Sequence, residues 1–415
     1  MEEKMKEKLK LLTAQIWIVV PLLLVSAYSS STSALAPILR NIQVAFPEAS
    51  LTLVQQVLTL PSAVSIPVQL STVLFAQYLT KKKMMLIAMG FICLGGLLPL
   101  VFHTSIYILI VSSVLIGIGQ GFFMPTSNAI IGELFDGNTR GAFMGVKNGV
   151  SAFLRSGLTL LAGFLGVAYW YKAYYIFVIM IPLIALFMWK TPSGEVGEKV
   201  VGKGAGLKGL KGIFTPNFIV ITLLAYCATT CEMGYSTNIA GYIADKGLGD
   251  ASVAGLATAF NTLSRFFVGI LLGFILSVFK RFTLPVGYAL NAAGFFTILC
   301  AQNVAAIQIG GIVFGIGQGI QMAAGMYYMT EAVDKKLLSQ AFGLYMPCIS
   351  MAVSTSPFII NGLSKLLLGE VSSVNNFRIA FYGYVFTAAA MALYQLFFCK
   401  NSMIGKLSGL EGQSK

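Results

Sequence analysis

Gly117-Ile118-Gly119-Gln120-Gly121 recurs without change as Gly315-Ile316-Gly317-Gln318-Gly319, an offset of 315 − 117 = 198. The same offset pairs Glu133 with Glu331 and Asp136 with Asp334, and it carries the start of the first apolar run onto the start of the seventh. One identical five-residue stretch arises by chance in so biased a composition. The aligned acids and runs make internal duplication the better explanation. Each copy lies in an apolar run of the length, about 20 residues, that crosses a bilayer as a helix.

Working outward from the two copies, hydropathy predicts twelve spans. In the first half they lie near 13–39, 50–79, 84–102, 106–132, 141–168 and 173–190. In the second they lie near 215–243, 251–279, 283–301, 306–330, 339–367 and 378–399. The expected fold class is therefore all-α, a membrane protein of twelve transmembrane helices in two six-helix repeats. The expected domains are a half at 1–190, a Gly- and Lys-rich linker at 191–214, and a half at 215–415.

Composition agrees. Of 415 residues 57% are hydrophobic and only 10% charged, with a mean hydropathy of +0.81. A soluble domain that size cannot cover its surface with so little charge, whereas lipid accepts apolar side chains facing outward. The formal net charge of +13 does not indicate nucleic acid, because the basic residues sit in short clusters between the runs. With the N-terminus inside, clusters such as Lys81-Lys82-Lys83, the linker lysines, Lys280-Arg281 and Lys335-Lys336 fall on the inner side. The outer side keeps Arg40, Lys172, Lys246, Lys365 and Arg378. That asymmetry is the positive-inside pattern. It predicts a multi-pass protein of the cell (inner or plasma) membrane with both termini cytoplasmic; in the lipid bilayer the chain is expected to be a monomer. The N-terminal run resembles a signal sequence but is too long for a signal core, and is taken as an uncleaved first span.

Six cysteines are scattered through the apolar runs and form no disulfide framework. With a single histidine, His103, no metal site and no cofactor are expected. An enzyme needs clustered nucleophile and base groups, which the spans do not offer. No G-x-x-x-x-G-K-[ST] sequence is present, so energy for any transport is expected from an ion gradient or from exchange.

The six-plus-six layout, the basic linker and the loop after the second span resemble the major facilitator superfamily over essentially the whole chain. That loop, Val73 to Lys83, matches the family's G-x-L-a-D-r-x-G-r-r-r motif in its basic end, with Gln77 at the aspartate position; the repeat copy, Gly273 to Arg281, has Ser277 there. Gly149, Gly157, Ala162 and Gly163 faintly resemble the family's glycine-rich antiporter motif without its proline; close packing of helices through small residues explains them equally well. The resemblance implies alternating access, with the solute site between the repeats near the bilayer midplane.

Charges inside spans cost roughly 2.5–3.5 kcal/mol each at a helix centre, so they point to function. Three are predicted: Arg155, Glu232 and Arg265. Helical spacing puts Asn148 and Ser151 beside Arg155, Thr258 and Asn261 beside Arg265, and Thr229 and Ser236 beside Glu232. The resemblance implies that both arginines face one cavity. Arginine's planar fork suits a carboxylate or phosphate. The expected substrate is thus a small organic anion held by Arg155 and Arg265, with Glu232 as proton-coupling group or counter-ion. The bland alternative is a structural Arg–Glu pair holding the halves together. Gln120 and Gln318, with Asn148 and Asn261, are candidate solute hydrogen-bonding groups or interhelical glue. Glu133, Asp136, Arg140, Glu331, Asp334 and Lys335 are expected to form an inner, cytoplasmic gate. Applied along the whole chain, the 198 offset sets Val353, Pro67 and Ala34 opposite Arg155, Arg265 and Glu232, so the three charges are unshared. Two alternatives stay open: a proton-coupled pump exporting amphipathic drugs and, outside transport, a solute sensor.

Overall fold

The computed structural model describes residues 20–21, 23–75, 78–134, 137–190, 214–333 and 338–397. The linker residues 191–213, Gln77, Asp136, Asp334 and Lys335 lie outside the described residues, as do the side chains of Glu133, Arg140, Asn148 and Glu331. The chain falls into two compact units, Met1–Val201 and Gly202–Lys415.

The first unit holds α1 (Leu39–Ala45), α2 (Leu51–Phe75), α3 (Lys81–Val101), α4 (Ile106–Leu134), α5 (Gly137–Leu165) and α6 (Met180–Lys190). The second holds α7 (Pro216–Asp245), α8 (Ala251–Phe279), α9 (Thr283–Leu299), α10 (Val304–Ala332), α11 (Leu338–Leu368) and α12 (Ser373–Phe397). Among the described residues, nine helical stretches are long and apolar enough to cross a membrane, and twelve spans are compatible with the whole set.

Starts are set by capping. The Thr80, Thr215 and Asn303 side chains accept from the backbone N–H three residues on, at 3.3, 3.1 and 2.9 Å. Asp250 accepts from the Ser252 N–H at 2.9 Å and also from its hydroxyl. These oxygens satisfy first-turn donors that have no intrahelical acceptor. The Ser252 hydroxyl, then the local backbone N–H groups, hold the Asp250 carboxyl below the usual carboxylate range. The folded pKa is the lower one, so the cap contributes fully above the ordinary range and is lost as pH falls through the depressed value. Asp250→Ala is expected to cost about 1 kcal/mol, seen as a lower melting midpoint at neutral pH with the difference from wild type shrinking in acid.

Two spans depart from plain α-helix. Ala27–Ile38 and Trp170–Ile179 wind as 3-10 helix before running into α1 and α6. In the first, Pro37 has no N–H to give to an α-helical hydrogen bond. The two segments are tied by the Tyr28 hydroxyl, which donates to the Ile176 carbonyl at 2.7 Å. α12 starts five residues before the predicted 378. Its first turns carry Asn375 and Asn376, polar by type yet buried. Asn376 donates to Asn238 at 2.8 Å and to Asn361 at 2.7 Å, joining α12 to α7 and α11. Asn376→Leu removes both buried bonds, so a loss of about 2 kcal/mol is expected in thermal melts.

The repeated five-residue stretch is explained by packing. A Cβ on Gly117 would lie 2.8 Å from the Pro61 carbonyl oxygen; on Gly121 it would lie 2.6 Å from Val68 and 3.0 Å from the Ser65 oxygen. The intervening Gly119 faces α3 instead, 2.6 Å from the Ala88 oxygen. In the second unit Gly315 and Gly319 meet α8 at the Asn261 oxygen (2.3 Å) and the Arg265 oxygen (3.0 Å), and Gly317 meets α9 at Asn291 and the Gly287 oxygen. Each copy therefore lets one helix, α4 or α10, press its backbone against two neighbours at once.

These paired contacts correct the single offset. Ser65 and Val68 match Arg265 and Val268, an offset of 265 − 65 = 268 − 68 = 200. Ala88 matches Gly287, an offset of 287 − 88 = 199. The Ser151 hydroxyl donates to the Ser26 carbonyl as Ser356 donates to Thr230, which gives 356 − 151 = 205 and 230 − 26 = 204. The counterparts of Arg265, Glu232 and Arg155 are therefore Ser65, Tyr28 and Ile360, replacing Pro67, Ala34 and Val353. None carries a charge. Loop lengths differ between the halves, so one number cannot align every span.

Candidate functional site

Glu232 and Arg265 form an ion pair within the second unit, Arg265 Nη2 to Glu232 Oε1 at 3.1 Å. Arg265 stands at the midpoint of α8, since 265 − 251 = 279 − 265 = 14. Glu232 is 16 residues into the 30-residue α7. Their side chains are 20% and 10% exposed. Both charges come from the same half.

Further contacts fix the guanidinium. Nη2 also donates to the Gln318 Oε1 of α10 and, at 3.5 Å, to the Asn261 Oδ1 one turn earlier on α8. The Asn261 amide nitrogen in turn donates to the Gly311 carbonyl at 3.4 Å. Predicted residues Glu232, Arg265, Gln318 and Asn261 are thus brought together. The donors are unevenly used: among the described residues Nη1 meets only the Met322 sulfur at 3.6 Å, and the buried Nε has no partner. One carboxylate and two neutral oxygens crowd one nitrogen, while the rest of the fork keeps capacity for an oxyanion.

The scaffold around this group is stiff. Tyr235, three residues past Glu232, packs its ring 4.8 Å from Phe314, one turn before Gln318. Phe295, Phe377 and Tyr384 close the same cluster, and all five rings are buried. Beside it, Asn291 donates to Gln321 Oε1 at 2.7 Å, and the Tyr384 hydroxyl donates to the same oxygen at 3.5 Å.

Of the residues predicted in the first unit, Arg155 and Gln120 have described side chains. Arg155 is half-buried on α5. Gln120 is 7% exposed and its Nε2 has no hydrogen-bond partner. The side chains of all six expected gate residues, Glu133, Asp136, Arg140, Glu331, Asp334 and Lys335, and of Asn148 lie outside the described residues.

A fourth charge was missed. Lys147 is 4% exposed. Its Nζ donates to Ser127 Oγ at 3.2 Å and to Asn128 Oδ1, both on α4. The predicted fifth span began at 141, which left Lys147 near its rim among the inner basic residues. The helix begins at Gly137, so Lys147 is four residues from its midpoint. The available signal was spacing: Lys147, Ser151 and Arg155 recur at four-residue steps on one helical stripe.

The family model described as Major Facilitator Superfamily matches residues 14–271 and 233–412. The chain belongs to the Major Facilitator Superfamily. The fold is shared with solved transporters of low sequence identity. A bacterial homologue of the human lysosomal transporter Spinster, inward-facing and unoccupied, superposes with a TM-score of 0.74 at 13% identity, over 92% of this chain and 96% of that one. The peptide transporter POT in complex with sulfate gives 0.73 at 12%, over 94% and 95%. The nucleoside transporter NupG gives 0.72 at 10%, over 91% and 99%. No curated protein sequence matches the chain. The protein is a multi-pass membrane transporter of the superfamily fold, as the repeat and the basic loop led one to expect.

Proposed function

We propose that this chain is a secondary active transporter carrying a small organic anion in company with protons. Arg265 takes the anionic group, and Glu232 is its exchangeable counter-ion. The observation that carries the reading is the Glu232–Arg265 pair at the middle of α7 and α8, with N–H groups of the arginine still unsatisfied. A buried arginine needs one negative partner. While Glu232 is ionised it fills that role. Once Glu232 is protonated, the solute's carboxylate or phosphate takes its place on the fork, and the local charge is unchanged. One proton and one anionic group therefore enter together. Gln318 and Asn261 keep the guanidinium aimed during the exchange.

Arg155, with Gln120 and Asn148, is proposed as the first half's contribution to solute binding. Glu133, Asp136, Arg140, Glu331, Asp334 and Lys335 are proposed as an inner gate. The charge asymmetry of the loops supports placing both termini on the cytoplasmic side of the cell membrane, and a monomer is proposed as the working unit.

The test is Glu232→Gln in proteoliposomes. The variant is expected to retain exchange of labelled anion for unlabelled anion, since its neutral side chain mimics the protonated state. Accumulation driven by an imposed pH gradient is expected to fall to the level without a gradient. Full gradient-driven accumulation by the variant removes Glu232 from coupling.

A further inference from the structure

Lys147 is buried in the middle of α5 with no carboxylate as partner among the described residues: Ser127 and Asn128 are its hydrogen-bond acceptors. An ammonium has three N–H donors, and among the described residues two of them are used and the charge faces neutral dipoles. Its acceptors Ser127 and Asn128 lie seven and six residues before the C-terminal end of α4 at Leu134, so the ammonium sits toward that end of α4. Nothing in the packing of α4 and α5 requires a charge there, because two hydroxyl or amide groups would bridge the helices at far lower desolvation cost.

A second observation points the same way. Gln120 lies seven residues, two turns, before Ser127 and on the same stripe of α4, and its buried Nε2 has no acceptor among the described residues. Among those residues the first half therefore presents a buried amide N–H group without an acceptor and a buried ammonium whose acceptors are both neutral. The missing chemistry is an oxyanion.

We propose that Lys147 is a second anion-holding station, in which its ammonium binds the carboxylate or phosphate group of the solute. The proposal rests on the anion reading of the function and extends it to a group outside the Arg265 cluster. With Arg155 two turns further along α5, it makes a ladder of cations on one helix, spaced about 12 Å apart, along which a single anionic group can be handed on.

Inorganic sulfate is the probe, titrated into the purified full-length protein in detergent while the thermal unfolding midpoint is read. Four forms are compared: wild type, Arg265→Gln, Lys147→Met and the double variant. Wild type is expected to be stabilised by sulfate. Arg265→Gln is expected to keep part of the response, and adding Lys147→Met is expected to weaken the remaining apparent affinity about tenfold or more, as loss of a charge-assisted hydrogen bond does. Without sulfate, Lys147→Met is expected to melt at or above wild type, because an uncompensated charge has been removed; Lys147→Gln should behave alike. Identical sulfate responses of Arg265→Gln and the double variant overturn the station, and so does the absence of any response in wild type. Melting of both Lys147 variants well below wild type in sulfate-free buffer makes the lysine a structural bridge and also overturns it. If Lys147→Met loses the response while Arg265→Gln matches wild type, the station stands and the Arg265 reading fails.

Discussion

Arg265→Ala is expected to reduce anion transport by about a hundredfold or more, the effect of truncating one partner of a buried, hydrogen-bonded charge pair. The loss has two sources that the structure lets one separate. Removing the guanidinium deletes the group proposed to hold the solute. It also strands Glu232, 10% exposed in the middle of α7, which costs about 3–5 kcal/mol of stability if the carboxylate stays ionised. The double variant Glu232→Leu/Arg265→Met replaces both charges by apolar side chains of similar size. It is expected to melt close to wild type and still not transport. Arg265→Lys is expected to keep the fold while binding the anion poorly, because an ammonium cannot serve Glu232, Gln318 and the solute through a planar fork. Proteoliposome uptake and thermal melts of the same preparations give both readouts. Normal transport by the double variant would show that neither charge handles solute.

Gly119→Val and Gly317→Val are expected to abolish recovery of folded protein. At Gly119 even a Cβ lies 2.6 Å from the Ala88 carbonyl oxygen and 2.9 Å from the Ile92 backbone nitrogen. At Gly317 it lies 2.7 Å from the Asn291 nitrogen and 2.8 Å from the Gly287 oxygen. Backbone cannot rotate aside as a side-chain tip can, so helices must separate, at about 3 kcal/mol or more. The contrast is Gly157 on α5, where an added Cβ meets nothing within 4 Å. Gly157→Ala is expected to be neutral or to stabilise by about 0.5–1 kcal/mol, since alanine is the better helix former. That contrast also answers a question left by the sequence, because tight helix packing does not require glycine at 157. Size-exclusion profiles and melting midpoints check all three; a monodisperse, wild-type-like Gly317→Val would refute the packing account of the repeat.

Much of the architecture was legible because hydrophobic runs and an exact repeat survive in the residues themselves. Ala251–Phe279 was placed to the residue, and most other ends fell within a few positions. What escaped reading depends on contacts between distant segments. Asn375 and Asn376 look like loop residues until Asn238 and Asn361 are seen to take their hydrogen bonds. The 3-10 segments depend on how the backbone settles against its neighbours, as where Tyr28 meets Ile176, and hydropathy does not encode that. In the site, the stripes of α7 and α8 were found by spacing, but the pairing of Glu232 with Arg265 within one half needed the helices side by side. Lys147 was overlooked because its burial depends on α4 lying against it, where Ser127 and Asn128 accept its hydrogen bonds. The offset of 198 held where the repeated stretch lies and drifted to 199, 200, 204 and 205 in the other spans compared, since each loop is free to change length.

The central claim is that Arg265 exchanges Glu232 for the anionic group of the solute. The most direct test is uptake by wild-type proteoliposomes of a labelled panel of small carboxylates, phosphates, neutral solutes and amphipathic cations, with an inward pH gradient imposed or withheld. The account predicts accumulation of at least one anion that rises with the gradient, collapses when the gradient is dissipated, and is lost in Arg265→Ala. Transport confined to neutral or cationic solutes, or anion uptake that Arg265→Ala leaves intact, would contradict it.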